Sequence, residues 1–179
     1  MNYDLIQDCF PEYLIKQNVF VETDRLTINF SSKRTSQACP KCNQISKEIT
    51  TYFTRKVQDL PVIDKSLTLK IKLKKFRCNN KKCNTKIFSE NIDDFVQGKQ
   101  RRTNRLNKKL IAFALTYSAE GAAKLLKNHH NITVSGDTLL RLAKSITFDY
   151  DPSEIKEIGI DDFALKKTSV WNYIYKFTK

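Results

Sequence analysis

Two cysteine pairs, Cys39-Pro-Lys-Cys42 and Cys78-Asn-Asn-Lys-Lys-Cys83, constrain this chain more than any other feature. Each pair is close enough for one tight knuckle to turn both sulfurs toward a single ion, and a β-hairpin across the intervening residues would bring the two knuckles together. Four thiolates so arranged are the donor set of a closed tetrahedral zinc site. Cys39, Cys42, Cys78 and Cys83 are therefore the expected ligands of one structural Zn²⁺. The competing account is a pair of disulfides in a secreted domain. No apolar signal-peptide core follows Met1, and Asn2-Tyr3-Asp4 lacks the basic start of such a peptide, which favours the metal. Cys9, beside Phe10 and far from the other cysteines, is expected to be a small buried hydrophobe.

The charge gathers around these pairs. The 179 residues carry a net charge of +13. Residues 33–86 hold fifteen Lys and Arg against three Asp and Glu, a net +12, whereas residues 1–32 sum to −3, 87–150 to +4 and 151–179 to zero. No apolar run approaches the roughly 20 residues of a bilayer span, so a membrane is not the expected partner. A basic module of this density points to a polyphosphate, although a solvated surface serving solubility would have the same composition.

The patterning around the cysteines is β-like. Leu26-Thr27-Ile28-Asn29-Phe30 alternates as a strand should, and from Leu67 the alternation is regular: Leu67, Leu69, Ile71 and Leu73 fall on one face, Thr68, Lys70, Lys72 and Lys74 on the other. Lys75 and Phe76-Arg77 carry this strand into the second knuckle, and Tyr52-Phe53-Thr54-Arg55-Lys56-Val57 is the expected antiparallel partner. The pattern is that of a zinc ribbon over residues 33–98. So small a core gains from a metal staple worth about 10–16 kcal/mol in apparent binding energy. Lys70, Lys72, Lys74 and Lys75 extend a strongly basic module and are the expected phosphate contacts here, in preference to mere solvation. Residues 1–32 reveal no function.

After Gly98 the pattern turns helical. Lys99-Gln100-Arg101-Arg102 is a basic linker, Thr103 is placed to N-cap a helix with apolar positions Leu106, Leu110, Phe113, Ala114 and Tyr117, and a second short helix fits Ala119 to Asn128. His129, His130 and Asn131 read as a turn, and Ser135 caps a third helix on Leu139, Leu142, Ala143 and Ile146. Three short helices with a tight connection before the third predict a helix-turn-helix over residues 99–150. Thr138 and Arg141 are the expected base readers, with Lys144, Arg101 and Arg102 on phosphates. A plain three-helix bundle with a charged face is the alternative. Over residues 151–179, Ile158-Gly159-Ile160-Asp161-Asp162 is an apolar run ending in paired acids, as in the first strand of a nuclease-type sheet or simply a strand end.

The ordered motifs CPKC, TYFTRKVQDLPV, KKFRCNNKKC, IFSE, RRTNRL, VSGDTLLRL and IGIDDFALKK resemble those of the ISL-three insertion-sequence transposases, over about residues 37 to 167. The resemblance implies an α+β chain: a β-rich zinc ribbon, a helix-turn-helix, and the first strand of an RNase H-like DDE domain that uses Mg²⁺ when intact. It assigns the first catalytic carboxylate to Asp161, with Asp162 less favoured. The family's later carboxylates have no counterpart before Lys179, so the expectation is a truncated, catalytically inactive chain. The implied partner is double-stranded DNA at terminal inverted repeats, in a bacterial cytoplasm on the nucleoid, with a homo-oligomer or an intact transposase as further partners. A stand-alone zinc-ribbon/helix-turn-helix transcriptional regulator is the rival reading, and a protein-interaction module a third.

Overall fold

The computed structural model describes residues 5–146, 158–166 and 169–176. They fall into two compact units divided after Ser145.

The first unit opens with a single helical turn, α1 (Leu5–Asp8), followed by strands β1 (Leu14–Val21) and β2 (Arg25–Ser32). Short strands β3 (Gln37–Ala38) and β4 (Ile45–Ser46) frame the first cysteine pair. Long strands β5 (Ile49–Val62) and β6 (Lys65–Arg77) form the expected hairpin, and β7 (Ile87–Ser89) follows the second pair. The main sheet runs β1-β2-β6-β5, with β7 added to the upper part of β6. β2 lies parallel to β6, from Arg25 beside Ser66 to Ser31 beside Lys72, and the other pairings are antiparallel.

Alternation sets the two faces of this sheet. Ile28, Phe30, Val57, Leu67, Leu69, Ile71 and Leu73 are all at most 1% exposed and form one core with Phe10, Leu14, Ile92, Phe95 and Val96. The last three come from a helical turn closed by Val96 N–H on the Ile92 carbonyl, 2.7 Å. The opposite face, with the lysine row, is open. Cys9 departs from expectation: it is exposed, and the buried residue is its neighbour Phe10. One large aromatic ring fills the space under the sheet, and the thiol is left at the rim.

The β5–β6 turn is a two-residue loop in which both Ile63 (φ 48°) and Asp64 (φ 57°) are left-handed. Such turns favour Asn and Gly, and a β-branched residue at positive φ is strained by about 1–2 kcal/mol. Ile63 is 88% exposed and buries nothing in return. Ile63→Asn should therefore raise stability by roughly 1 kcal/mol, read as a higher melting temperature; a lower one would show that Ile63 makes a contact that matters.

Three helices complete the unit: α2 (Asn104–Thr116), α3 (Ala119–His130) and α4 (Gly136–Lys144). Thr103, Ser118 and Ser135 N-cap them, each accepting from an amide of the first turn. Leu106, Leu110, Ala122, Leu126, Ile132 and Leu139 form a second core, against which Leu60 of β5 packs. His129 and His130 continue α3 rather than turning, and the left-handed Asn131 caps it. The His130 and Phe113 rings meet edge to face, centroids 5.2 Å apart.

The α3–α4 connection also differs from the tight turn expected. A Cβ on Gly136 would meet the Glu120 carboxyl and approach the Ala119 carbonyl carbon at 3.5 Å, so α4 begins beside the start of α3, not its end. α3 rises about 16 Å from first residue to last, so residues 131–135 must run back along it nearly extended. Ile132 is buried on the way. Asn131 Nδ2 donates to the Asp64 carbonyl, 2.5 Å, tying this connection to the hairpin tip.

The second unit's described residues form one antiparallel hairpin, β8 (Ile158–Lys166) with β9 (Ser169–Lys176). Asp161 and Asp162 lie within β8, opposite Tyr173 and Asn172.

Candidate metal centre and nucleic-acid interface

The β3–β4 hairpin builds the first knuckle. Cys39 N–H donates to the Gln44 carbonyl and Asn43 N–H to the Cys39 carbonyl, both at 2.9 Å, and the left-handed Asn43 (φ 59°) reverses the chain. The second knuckle follows directly from β6. Cys78 N–H donates to the Lys86 carbonyl at 2.8 Å, Cys83 N–H to the Asn80 carbonyl at 3.0 Å, and Asn80 Oδ1 accepts from Lys82 N–H at 2.9 Å.

The four sulfurs lie within 4.8 Å of one another. Cys39 Sγ is 3.9 Å from Cys83 Sγ, and Cys42 Sγ is 3.6 Å from Cys78 Sγ. A tetrahedral site with Zn–S bonds of about 2.3 Å requires S···S separations of about 3.8 Å. Disulfides would need about 2.05 Å. Both short contacts cross from one knuckle to the other, as a single shared ion demands. Cys39, Cys78 and Cys83 are buried with Phe76 and Phe88, whose rings stack at 6.0 Å, and Cys42 is half-buried. The residues fit Zn²⁺ as the structural ion.

The thiols are electrostatically unequal. Burial works against ionisation of Cys39, but the backbone amides of Lys41 and Cys42 and the neighbouring thiols bring its pKa down to about 7. At Cys78 the Asn80 amide favours the thiolate, yet burial and the three surrounding sulfurs together push the pKa up to about 12. Packed sulfurs cannot all carry charge without a cation between them. Zinc supplies it, with release of protons.

The open face of the main sheet is the second feature. Cross-strand register aligns Asn18, Asn29, Lys70 and Lys56 in one row, and Ser31, Lys72 and Thr54 in the next. Phe20, Thr27, Thr68 and Gln58 form a third row on one side, and Lys74 and Tyr52 a fourth on the other. No acidic side chain occurs in these rows. Lys56, Lys70 and Lys72 are exposed. Lys74 is engaged elsewhere: its Nζ donates to the carbonyls of Ser32 (3.0 Å) and Arg34 (2.5 Å), closing the sheet onto the first knuckle. Lys75 falls on the opposite face, its Nζ 5.7 Å from the Phe53 ring centroid. Lys56, contributed by the partner strand, was not singled out in the sequence; its signal was the Lys56–Lys70 pairing that follows once the hairpin register is known.

The predicted helical contacts are partly assembled. Arg141 Nη2 lies 3.4 Å from Thr138 Oγ1, one turn apart along α4, and Lys144 is exposed. Arg102 Nε donates to Asn107 Oδ1 at 2.9 Å. Burial lowers the Arg102 pKa first, and the nearby charge of Arg141 lowers it further, so linker and α4 hold two cations in mutual repulsion. Arg101 is exposed, its carbonyl accepting from Gln58 N–H at 2.8 Å. A broad groove of about 1040 Å³ borders the sheet face and is lined in part by Arg25, Lys56, Thr68, Lys99, Arg101 and Thr133. Glu90 and Asp93 also border it, both already hydrogen-bonded: Glu90 takes Ser32 Oγ and Lys74 N–H, and Asp93 takes Gly98 N–H at 2.7 Å.

Among the described residues no helix is long and apolar enough to cross a membrane. No curated protein and no solved structure matches the chain. One family model does, the zinc-finger of transposase IS204/IS1001/IS1096/IS1165, over residues 35–83. The match begins just before the first knuckle and ends on Cys83, so it takes in all four clustered cysteines and the whole β5–β6 hairpin between them. Residues 35–83 are thus similar to a transposase zinc finger, with all four cysteines of the cluster inside the matched segment.

Proposed function

We propose that the chain binds DNA at the terminal inverted repeats of an insertion sequence. The zinc-ribbon part (33–98) grips phosphates, and the helical part (99–150) reads bases through Thr138 and Arg141. Residues 151–179 begin an RNase H-like domain with Asp161 as its first carboxylate. The observation that carries this reading is the sheet face on which Lys56, Lys70 and Lys72 stand exposed with no acid among them, built on a transposase-type finger. Arg102 and Arg141, set close enough to depress a pKa, add a second cationic point where a phosphate would relieve repulsion.

With about six phosphate contacts, log affinity should fall with log salt at a slope of about −0.9 per contact. Lys72→Ala should weaken binding to every duplex alike and reduce that slope by about one, whereas Arg141→Ala should relax preference at one base pair by about 1–3 kcal/mol. Salt titrations on repeat-bearing and random duplexes decide this; equal losses on both for Arg141→Ala would remove it as a base reader.

Cutting is a separate matter. A two-metal site needs several converging carboxylates, and the family resemblance supplies only Asp161 here. Residues 1–179 alone are expected to bind repeat-bearing DNA without nicking or joining it in Mg²⁺. Metal-dependent cleavage abolished by Asp161→Ala would overturn that.

A further inference from the structure

The open sheet face carries two aromatic rings that phosphate binding does not use. Tyr52, on β5, is 53% exposed, and Phe20, on β1, is 52% exposed. Both belong to the rows that hold the lysines: Tyr52 is opposite Lys74, and Phe20 opposite Thr27. Lys72 Nζ sits 4.9 Å from the Tyr52 ring centroid, so cation and ring already share one patch. From strand spacing and rise, the rings stand about 25 Å apart across the face, with Lys70 and Lys56 between them.

We propose that this face binds an unpaired DNA strand, its bases stacking on Tyr52 and Phe20 and its phosphates lying over Lys56, Lys70 and Lys72. The inference rests on the DNA-binding reading above and specifies a second form of the ligand. A duplex offers phosphates to lysines but keeps its base faces stacked on one another. Only a separated strand can lay a base on a ring, and such stacking is indifferent to base identity. The other polar residues of these rows (Thr54, Asn29, Thr27, Gln58) are uncharged, and both rings stay about half exposed. The absence of acids in these rows removes the repulsion a polyanion would meet, and the charge complementarity selects nucleic acid over an apolar partner.

The test uses the zinc-loaded full chain and three fluorescent ligands: a thymidine strand of about 20 nucleotides, an abasic strand of equal length, and a duplex. The thymidine strand should bind clearly better than the abasic one. Tyr52→Ala and Phe20→Ala should each weaken the thymidine strand roughly tenfold while changing duplex affinity less than about twofold. Tyr52→Phe, which keeps the ring, should bind as the parent does. Zinc content and far-UV circular dichroism confirm that each variant is folded. Equal affinity for abasic and thymidine strands, or equal losses on strand and duplex, would overturn the stacking proposal and leave duplex binding standing. Failure to bind any of the three would overturn both.

Discussion

Replacing Cys78 by Ser is expected to abolish stoichiometric zinc binding and to disorder the two knuckles, near residues 37–48 and 77–89, without unfolding the rest. The structural reason is that the chain has separate cores. The cysteines, Phe76 and Phe88 form a small cluster of their own, while the sheet core around Phe30, Leu69 and Ile71 and the helical core around Leu106 and Leu126 contain none of the ligands. A four-thiolate site contributes about 10–16 kcal/mol of apparent binding energy, and the contact of Phe76 with Phe88 alone could not replace it. Without the ion the two thiols ionise unequally, Cys39 with its pKa brought down to about 7 and Cys78 held protonated. Elemental analysis should fall from one zinc per chain to none. Amide exchange should quicken across both knuckles yet stay slow in the central part of β6. Cys9→Ser, outside the cluster, should keep its zinc. One zinc per chain in Cys78→Ser would rule out the four-cysteine site; collapse of the whole sheet would show that the cores are not separable.

The zinc site was legible because its chemistry is local: two pairs of the same rare residue type leave few arrangements for a shared ion. The β5–β6 hairpin was legible because Leu67, Leu69, Ile71 and Leu73 repeat at the strand period, and all four are at most 1% exposed. Two of the three helix starts were legible from single capping residues, Thr103 and Ser135, whereas Ser118, which caps α3, was not foreseen. What the sequence hides is whatever depends on which elements become neighbours. β1 and β2 join the finger's sheet only through the parallel pairing of β2 with β6, which no local pattern announces. Lys74 looks like any other member of its row, but a strand end passing close by converts it from a surface cation into a clasp on two carbonyls. Lys75, grouped with Lys70, Lys72 and Lys74 by proximity in sequence, falls on the other face, near the Phe53 ring. The path from α3 to α4 was misjudged for a related reason: His129 and His130 suggest a break, yet α3 continues until Asn131 adopts the left-handed conformation that ends it.

Arg105→Ala is expected to destabilise the first unit by about 3–5 kcal/mol, because it strips the paired cation from a buried carboxylate. Asp59 is 0% exposed. Its Oδ1 accepts from Arg105 Nε at 2.8 Å and from Thr103 Oγ1 at 2.6 Å, and its Oδ2 accepts from Arg105 Nη2. Those hydrogen bonds raise the pKa of the guanidinium against the opposing effect of burial. The same guanidinium lies over Phe10 and Phe95, 5.0 and 5.9 Å from their centroids, and its Nη1 donates to the Cys9 carbonyl at 2.9 Å. One side chain thus fastens the first turn of α2 to β5 and to the amino-terminal segment. Its loss should loosen the helical core from the sheet before either melts, since the links left there are Leu60, the pairing of Gln58 with residues 101–103, Asn104 N–H on the Phe95 carbonyl and Asn131 on the Asp64 carbonyl. A large cost in so marginal a balance is a substantial part of the total, typically about 5–15 kcal/mol for a domain. Chemical denaturation should show the drop, amide exchange should locate it in α2 and β5, and zinc content should not change. Asp59→Ala/Arg105→Ala should cost less than the sum of the two single changes, because the double variant buries no unpaired charge. Strict additivity would mean that the two groups, despite their geometry, do not act as a pair.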